Sequence, residues 1–422
     1  MAPTQGEREL EPVDLIRSSG AVLRAGTLSL SAGTGSYRVK STMARVARAL
    51  GIERHEAHVT LTEITATSHR ADIFRTEVTE VRKVGVDAAR LAALEVMAST
   101  LPARTTVDDV QGRLDRIAAA PPLYPAALNA LWAGAACAAF AFLNNGGVVE
   151  CAGVLLGAGL GQLLRRTLLH RGYNQFGVTM LAAALACLVY VGFVGALIGL
   201  HATSGTHQAG YVSAVLFLIP GFALVTGALD LARLDFSAGL SRLAYALMIL
   251  TSAALSLWAV STVVGLSPDP AAPLGLPAGV LLALRLAASL LGVLGFALMF
   301  NSPWPMALGA ATVGMVANVL RLAALDAGLV PQAAAAGAAL LVGLLTAWVA
   351  PRLRVPRVTI AVPAVVIMVP GATAYRAVFH LSNGETIDAL AAGVQAALVV
   401  VALSIGLAVA RMLTDQEWGF ER

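Results

Sequence analysis

From Ala126 onward the chain is a series of apolar runs, each long enough to cross the ~30 Å hydrocarbon layer of a bilayer as a helix. Ten such runs stand out, at residues 126–144, 147–164, 176–200, 209–229, 239–266, 278–300, 304–322, 332–350, 359–381 and 387–411. A backbone in lipid must satisfy its own hydrogen bonds, so runs of this kind fold as helices rather than as open sheet. The chain has 422 residues, 57% of them hydrophobic and 13% charged, with a mean hydropathy of +0.75. A soluble fold cannot bury that much apolar surface. The sequence therefore predicts a polytopic α-helical membrane protein.

The charges divide the chain. Residues 1–120 hold 31 of the 54 charged side chains, 16 basic and 15 acidic, and the remaining 302 residues hold 23. This predicts a small domain over 1–120 joined to a membrane domain by the stiff Pro121-Pro122-Leu123-Tyr124-Pro125 linker. The net charge of +4 lies mainly in the membrane loops, so it does not point to nucleic acid. Met1–Leu15 is polar and acidic with no apolar core of a signal peptide, which places the N-terminal domain in the cytoplasm.

With that start, the inner loops and tail carry Arg165, Arg166, Arg171, Arg233, Arg242, Arg352, Arg354, Arg357, Arg411 and Arg422. Ten of the thirteen basic residues after residue 120 are thus inside, as the positive-inside rule requires, and both termini are cytoplasmic. The exceptions are Arg285, Arg321 and Arg376. Ten spans divide as five plus five, over residues 121–266 and 267–422. Because five is odd, the second half enters the membrane from the other side, the arithmetic of an inverted-topology repeat.

The N-terminal domain reads as α+β. Val13–Leu30, Tyr37–Leu50, Asp87–Ala98 and Thr106–Ala119 have helical spacing, and Thr106 with Asp109 resembles a capping box. Ala57–Thr67 alternates as one strand, Ser68–Asp72 reads as a turn, and Ile73–Val84 as a second strand. His55, His58 and His69, with Glu56 and Glu63 nearby, would bind a metal only if they converged; solvated surface histidines are the plainer reading, and no metal or cofactor is expected. No P-loop, GxSxG or HExxH occurs, and alternating threonines are common on strand faces, so the chain does not read as an enzyme. Cys137, Cys151 and Cys187 lie in apolar runs without CxxC spacing and read as structural thiols.

Spans four and nine each contain a Pro-Gly pair, Pro220-Gly221 and Pro370-Gly371, in the fourth span of each half. Proline removes a backbone donor and clashes with the preceding turn, so each pair interrupts its helix. Paired interruptions at corresponding positions point to a transporter's binding site. Freed N–H groups at the following half-helix suit a carboxylate, and Thr226 and Thr373 suit a substrate hydroxyl. The alternative is that each pair only kinks a helix for packing; the matched positions favour the site. Arg376, an arginine within a span, is a carboxylate ligand candidate, and Arg285 is similar but close enough to the edge to snorkel. Asp230 and Arg242 read either as a membrane-edge ion pair or as coupling groups, and Glu150 either as a proton carrier or as an interfacial anion. Asn318 suits a helix–helix hydrogen bond, and Gly153, Gly157 and Gly161 suit close helix packing.

Several of these runs resemble the threonine/serine exporter family. They are Leu218–Leu231 with Ser237–Leu243 in the first half, and Val362-Pro363-Ala364 with Val369–Arg376, including Tyr375, in the second. Gly33–Val39, Met43, Ala49-Leu50-Gly51 and Arg82–Asp87 with Leu91 resemble the family's soluble domain. One departure is Asn144-Asn145-Gly146-Gly147, where relatives are more apolar. The resemblance covers nearly the whole chain and implies a proton-driven exporter of threonine and serine in the cell membrane. Its implied partners are a small amino acid, protons and the lipid bilayer, with a homo-oligomer left open. Split relatives are associated with small dicarboxylates, so a dicarboxylate exporter is the alternative cargo reading. A membrane-anchored enzyme is the alternative class, and ten spans are far more than anchoring needs. A channel also remains, since residues alone do not reveal coupling.

Overall fold

Seven elements open the chain, α1 (Val13–Ser31), α2 (Ser36–Ala49), β1 (Arg54–Val59), β2 (Glu63–Arg70), β3 (Ile73–Glu80), α3 (Ala88–Thr100) and α4 (Val107–Ala119). The structure is a computed structural model that describes residues 13–415 except 83, 204–206, 208, 209, 269 and 270. The polar stretch ahead of Val13, Lys83 and the tail's Arg422 lie outside the described residues. The three strands form an antiparallel sheet in the order β1-β2-β3. Its inner face and the four helices enclose a core of their own, with Val22, Met43, Ile64, Leu94 and Leu114 at its centre. Thr106 caps α4 by accepting the Asp109 N–H at 3.2 Å. The Asp109 carboxylate takes the Thr105 hydroxyl and Arg113 instead of completing a capping box.

The strand expected over 57–67 is in fact two strands. The Thr60 hydroxyl accepts the Glu63 N–H at 3.1 Å, and the Thr60 N–H bonds the Glu63 carbonyl at 2.9 Å, so the chain reverses within the threonine run. Ser68, His69 and Arg70 accordingly extend β2 rather than forming the turn, which lies at Ala71 with φ 49°. In this register His55 faces Ser68, His58 faces Thr65 and His69 faces Arg54, so the ladder does not gather the histidines. Burial pushes the His55 imidazole below its ordinary pKa against the opposing pull of Glu56.

Among the described residues, eight helices are long and apolar enough to cross a membrane: α5 (Ala126–Leu143), α6 (Val148–His170), α7 (Gln175–Gly199), α10 (Phe236–Val264), α11 (Ala278–Met299), α12 (Trp304–Asp326), α13 (Pro331–Leu353) and α16 (Thr386–Thr414). Two bent pairs bring the number to ten if each pair crosses once. In the first, α8 (Gly210–Ser213) and a 3₁₀ turn at Leu216–Leu218 meet α9 (Gly221–Ala232) at 60°. In the second, α14 (Arg357–Val366) meets α15 (Gly371–Ser382) at 53°. Of each long helix's apolar window, 33–50% is buried in protein. The rest, including Leu188, Val263, Leu398 and Ile405, faces outward as an apolar belt suited to lipid.

The two bent pairs have the same construction. Pro220 (φ −79°, ψ 52°) and Pro370 (φ −80°, ψ 58°) each precede a 12-residue half-helix. Each half-helix ends near a left-handed residue, Leu234 (φ 61°) or Gly384 (φ 82°). Asp235 (φ −86°, ψ 66°) and Glu385 (φ −86°, ψ 68°) then each start a 29-residue helix.

The N-terminal region is seated on one face of the bundle. The N–H groups of Ala88 and Ala89, in the first turn of α3, donate to the carbonyls of Phe300 and Asn301 at 3.0 and 3.2 Å. Asn301 answers with a 2.8 Å bond from its side-chain amide to Asp87. The Tyr124 hydroxyl donates to the Ser302 carbonyl at 2.8 Å.

Small residues set helix spacing inside the bundle. A Cβ at Gly157 would stand 2.5 Å from the Ala186 carbonyl oxygen, so α6 and α7 touch backbone to backbone there. Gly157→Leu should therefore cost more than the about 1–3 kcal/mol typical of overpacking, because backbone cannot yield as a side chain does. Gly177→Leu, at a position with open space around it, is the control. Thermal unfolding in detergent should show a large loss for the first and little change for the second.

Candidate functional site

The two helix breaks meet. A Cβ at Gly221 would stand 2.9 Å from a Val366 methyl, and one at Gly371 would overlap the Cδ1 methyl of Ile219. Each glycine notch is thus filled by a side chain of the other broken helix, which is why neither position tolerates a side chain. Outside this crossing point, α9 packs on α16 and α15 packs on α10.

Beside the crossing lies a cavity of about 400 Å³. Its walls come from the segment before the first break (Val212, Leu216, Ile219), from Pro370, Gly371 and Tyr375 at the second, and from α10 and α16. The lining residues are apolar except Thr251 and Tyr375. That hydroxyl lies 3.4 Å from both the Tyr211 and the Ser261 hydroxyls, and the Tyr211 ring stands edge-on to Tyr375 at 6.0 Å. The lining residues include no Lys, Arg, Asp or Glu.

The site residues expected from sequence fall into three groups. Pro370, Gly371 and Tyr375 line the cavity, and Pro220 and Gly221 sit at the crossing beside it. Thr226 and Thr373 do not line it; the buried Thr226 hydroxyl donates to the Phe222 carbonyl one turn back at 2.8 Å. Arg376 is also off the lining, and its Nε reaches the Ala372 carbonyl at 3.4 Å. Arg285 pairs with Asp326 across α11 and α12. Asn318 donates to Ser289 at 2.9 Å, the helix–helix bond expected of it.

Asp230 and Arg242 do pair, with Nε 3.0 Å from Oδ2, but not at an open membrane edge. Both are buried, 3% and 2% exposed, beneath the start of α2. The Ser36 N–H and hydroxyl donate to the Asp230 carboxylate at 3.1 and 3.0 Å. Arg242 donates to the Thr34 carbonyl at 2.7 Å. Asp235 joins by accepting from Lys40 at 2.5 Å, and its carboxylate lies 2.7 Å from the Ser36 hydroxyl, whose single proton it shares with Asp230. The Arg233 guanidinium lies 3.9 Å over the Tyr37 ring. Glu150, on the opposite face, is likewise paired, to His207 at 2.7 Å.

Sequence reasoning missed Thr34, Ser36, Lys40, Asp235, Tyr211, Ser261 and His207. The only signal for any of them was that residues 33–38 belong to a motif whose role the chain alone does not disclose.

Two discontinuous helices that cross beside a cavity in a helical bundle are the construction of membrane transporters. A family model described as "Putative threonine/serine exporter" matches residues 21–264, and a second, described as "Threonine/Serine exporter, ThrE", matches residues 285–413. The chain belongs to the threonine/serine exporter family. It is 26% identical over 410 residues to a protein of Mycobacterium tuberculosis (strain ATCC 25618 / H37Rv) named "Probable threonine/serine exporter", covering 93% of this chain and 75% of that one. It is also 28% identical over 249 residues to the Escherichia coli (strain K12) protein named "Probable succinate transporter subunit YjjP", covering 58% of this chain and 93% of that one. No solved structure matches the chain.

Arg242→Met should lower stability by about 3–5 kcal/mol, because it leaves the Asp230 carboxylate buried without its cation, and adding Asp230→Leu should recover much of the loss. Thermal unfolding of the single and double variants checks both. Asp235 gives a pH dependence. Burial raises its pKa, but the bonds from Lys40 and Ser36 outweigh burial and hold it below the ordinary carboxylate value. A lowered folded pKa stabilises above the ordinary value, and the effect is lost as pH falls through the lowered one. The gap in unfolding temperature between the wild type and Lys40→Met should therefore be full at neutral pH and close in acid.

Proposed function

We propose that the protein is a secondary exporter of the small hydroxy amino acids threonine and serine, driven by the proton motive force and working by alternating access around its two broken helices. The observation that carries this reading is the crossing of the breaks, where Gly221 and Gly371 each receive a side chain of the other broken helix beside one cavity. Such a joint lets one half rock against the other while the cavity stays at the pivot.

The reading takes residues 121–266 and 267–422 as two five-span halves of inverted topology, and 1–120 as a cytoplasmic α+β domain. Supporting the repeat, Pro220 and Pro370, Asp230 and His380, Leu234 and Gly384, and Asp235 and Glu385 all stand 150 residues apart. Supporting the inversion, α9 ends at the face that carries the N-terminal region, where Asp230 meets Ser36. From that same face, at Ser302, the chain makes three crossings through α12, α13 and the α14–α15 pair, so α15 ends at the opposite one. The arginines concentrated after α6 and α13 support a cytoplasmic assignment for the N-terminal face, with both termini inside the cell membrane.

The cargo assignment rests on the family and on the cavity. An amino acid needs a place for a short side chain and a few hydrogen-bonding groups, and the Tyr375 hydroxyl beside the start of α15 offers these. A dicarboxylate brings two anionic groups where a zwitterionic amino acid brings one, and no Lys or Arg lines the cavity to meet the second. The name of the Escherichia coli relative keeps succinate as the second reading.

Counterflow of labelled threonine, serine and succinate in proteoliposomes, with and without a pH gradient, tests this. The expected result is uptake of threonine and serine, stimulated by the gradient. Uptake of succinate alone selects the second reading, and no uptake of any of the three rejects both. Tyr375→Phe, which removes one hydroxyl and little volume, should lower the rate about fivefold, the worth of one hydrogen bond near 1 kcal/mol.

A further inference from the structure

Glu150 lies in the first turn of α6, on the face opposite the N-terminal region. One of its carboxylate oxygens accepts the Gly147 N–H at 3.0 Å. The other lies 2.7 Å from Nδ1 of His207. The second ring nitrogen of His207, Nε2, lies 2.7 Å from the Thr203 hydroxyl. The His207 carbonyl accepts the Tyr190 hydroxyl at 2.5 Å. One imidazole is thus held at both nitrogens, and its own backbone is tied to α7. Three residues later Gly210 begins the first half of the broken helix, packed so closely on the Tyr190 ring that a Cβ there would overlap it. From Gly210 the chain runs straight into the cavity wall at Val212, Leu216 and Ile219.

We propose that Glu150 and His207 form a proton-binding latch, which anchors the free end of the first broken helix and so ties proton uptake at this face to the position of the cavity wall. The inference deepens the proton-coupled reading above and takes from it only the direction in which protons flow. With a neutral imidazole, Nδ1–H donates to Glu150 and Nε2 accepts from Thr203. A proton arriving from water on this face takes the Nε2 lone pair, the Thr203 hydroxyl hydrogen turns away from it toward water, and Nε2–H then donates to the Thr203 oxygen. The same atoms serve both states, so uptake does not disrupt the latch. It tightens it, because the hydrogen bond to the carboxylate becomes an imidazolium–carboxylate ion pair. Among the described residues, the other titratable groups packed on the pair are Tyr190 of α7 and Cys151 of α6. The Tyr190 hydroxyl is spent on the His207 carbonyl, and the Cys151 thiol faces the Gly146 carbonyl. Histidine is the side chain suited to such a switch, since its charge changes in the neutral range.

Hydrogen–deuterium exchange over residues 210–218 tests the latch without any substrate. The full chain in lipid nanodiscs is compared at about pH 5.5 and about pH 8, on either side of the imidazole range, with rates corrected for intrinsic exchange. The wild type should exchange about tenfold more slowly in acid, which corresponds to ~1.4 kcal/mol. Glu150→Gln and His207→Gln should each abolish the difference, while Thr203→Ala should keep most of it. A purely structural pair would instead raise exchange equally at both pH values in the two variants. The proposal is overturned if the wild type shows no pH difference, or if a difference survives in both variants. A latch that behaves as expected in a protein that carries none of the three labelled solutes would overturn the transport reading and leave the latch standing.

Discussion

The buried pair of Asp230 and Arg242 governs how the parts of this molecule are joined. Taking two charges out of water costs several kcal/mol each, and their mutual attraction repays it only if the remaining hydrogen-bonding capacity is also met. Here the N-terminal region meets much of it. The start of α2 gives the Asp230 carboxylate a backbone N–H and a hydroxyl, and the Thr34 carbonyl takes an N–H of Arg242. The dipole of α2 points its positive end at the same carboxylate. Lifting the N-terminal region off would strand both charges, so α2, α9 and α10 hold together as one body. A side chain at Gly35 would already crowd Asp230, its Cβ falling 3.0 Å from Oδ1.

That body reaches the cavity. α9 begins at the Pro220-Gly221 break, and α10 supplies the cavity wall from Leu243 to Leu257. A displacement at Ser36 therefore has a direct route to the crossing of the broken helices, through two helices that share one buried ion pair. The opposite end of the first broken helix is tied separately, through His207 to Glu150. The broken helix is thus held at its two ends by two unrelated polar contacts, with the Pro220-Gly221 break between them.

The membrane helices were legible in the sequence because lipid leaves the backbone no other choice, so apolar length alone announces a span. The breaks were legible because proline and glycine act locally. The polar contacts were not. Ser36 and Asp230 lie 194 positions apart, and Glu150 and His207 lie 57 apart, so no spacing rule brings them together. The threonine run at 57–67 misled for the opposite reason. Its alternation continues straight through the turn, without glycine or proline, because the Thr60 hydroxyl does the work those residues usually signal. Thr226 and Thr373 were drawn into the candidate set by their closeness to the breaks, yet on a helix closeness in sequence does not select a face.

The two bent pairs share a backbone but not their company. Asp230 and Asp235 occupy the same positions on the first pair as His380 and Glu385 do on the second. The first two are covered by α2, with Ser36 and Lys40 as partners. The second two contact each other at 2.5 Å and stay open to the surface, Glu385 with half its side chain exposed. One scaffold used twice would give two equivalent hinges if its surroundings were equal. The N-terminal region makes them unequal, because it adds buried hydrogen bonds at one hinge and none at the other. The uncovered hinge at Pro370 therefore has less to break when it moves. It also carries the cavity's own Pro370, Gly371 and Tyr375, so the half-helix with fewer buried contacts is also the one that lines the cavity.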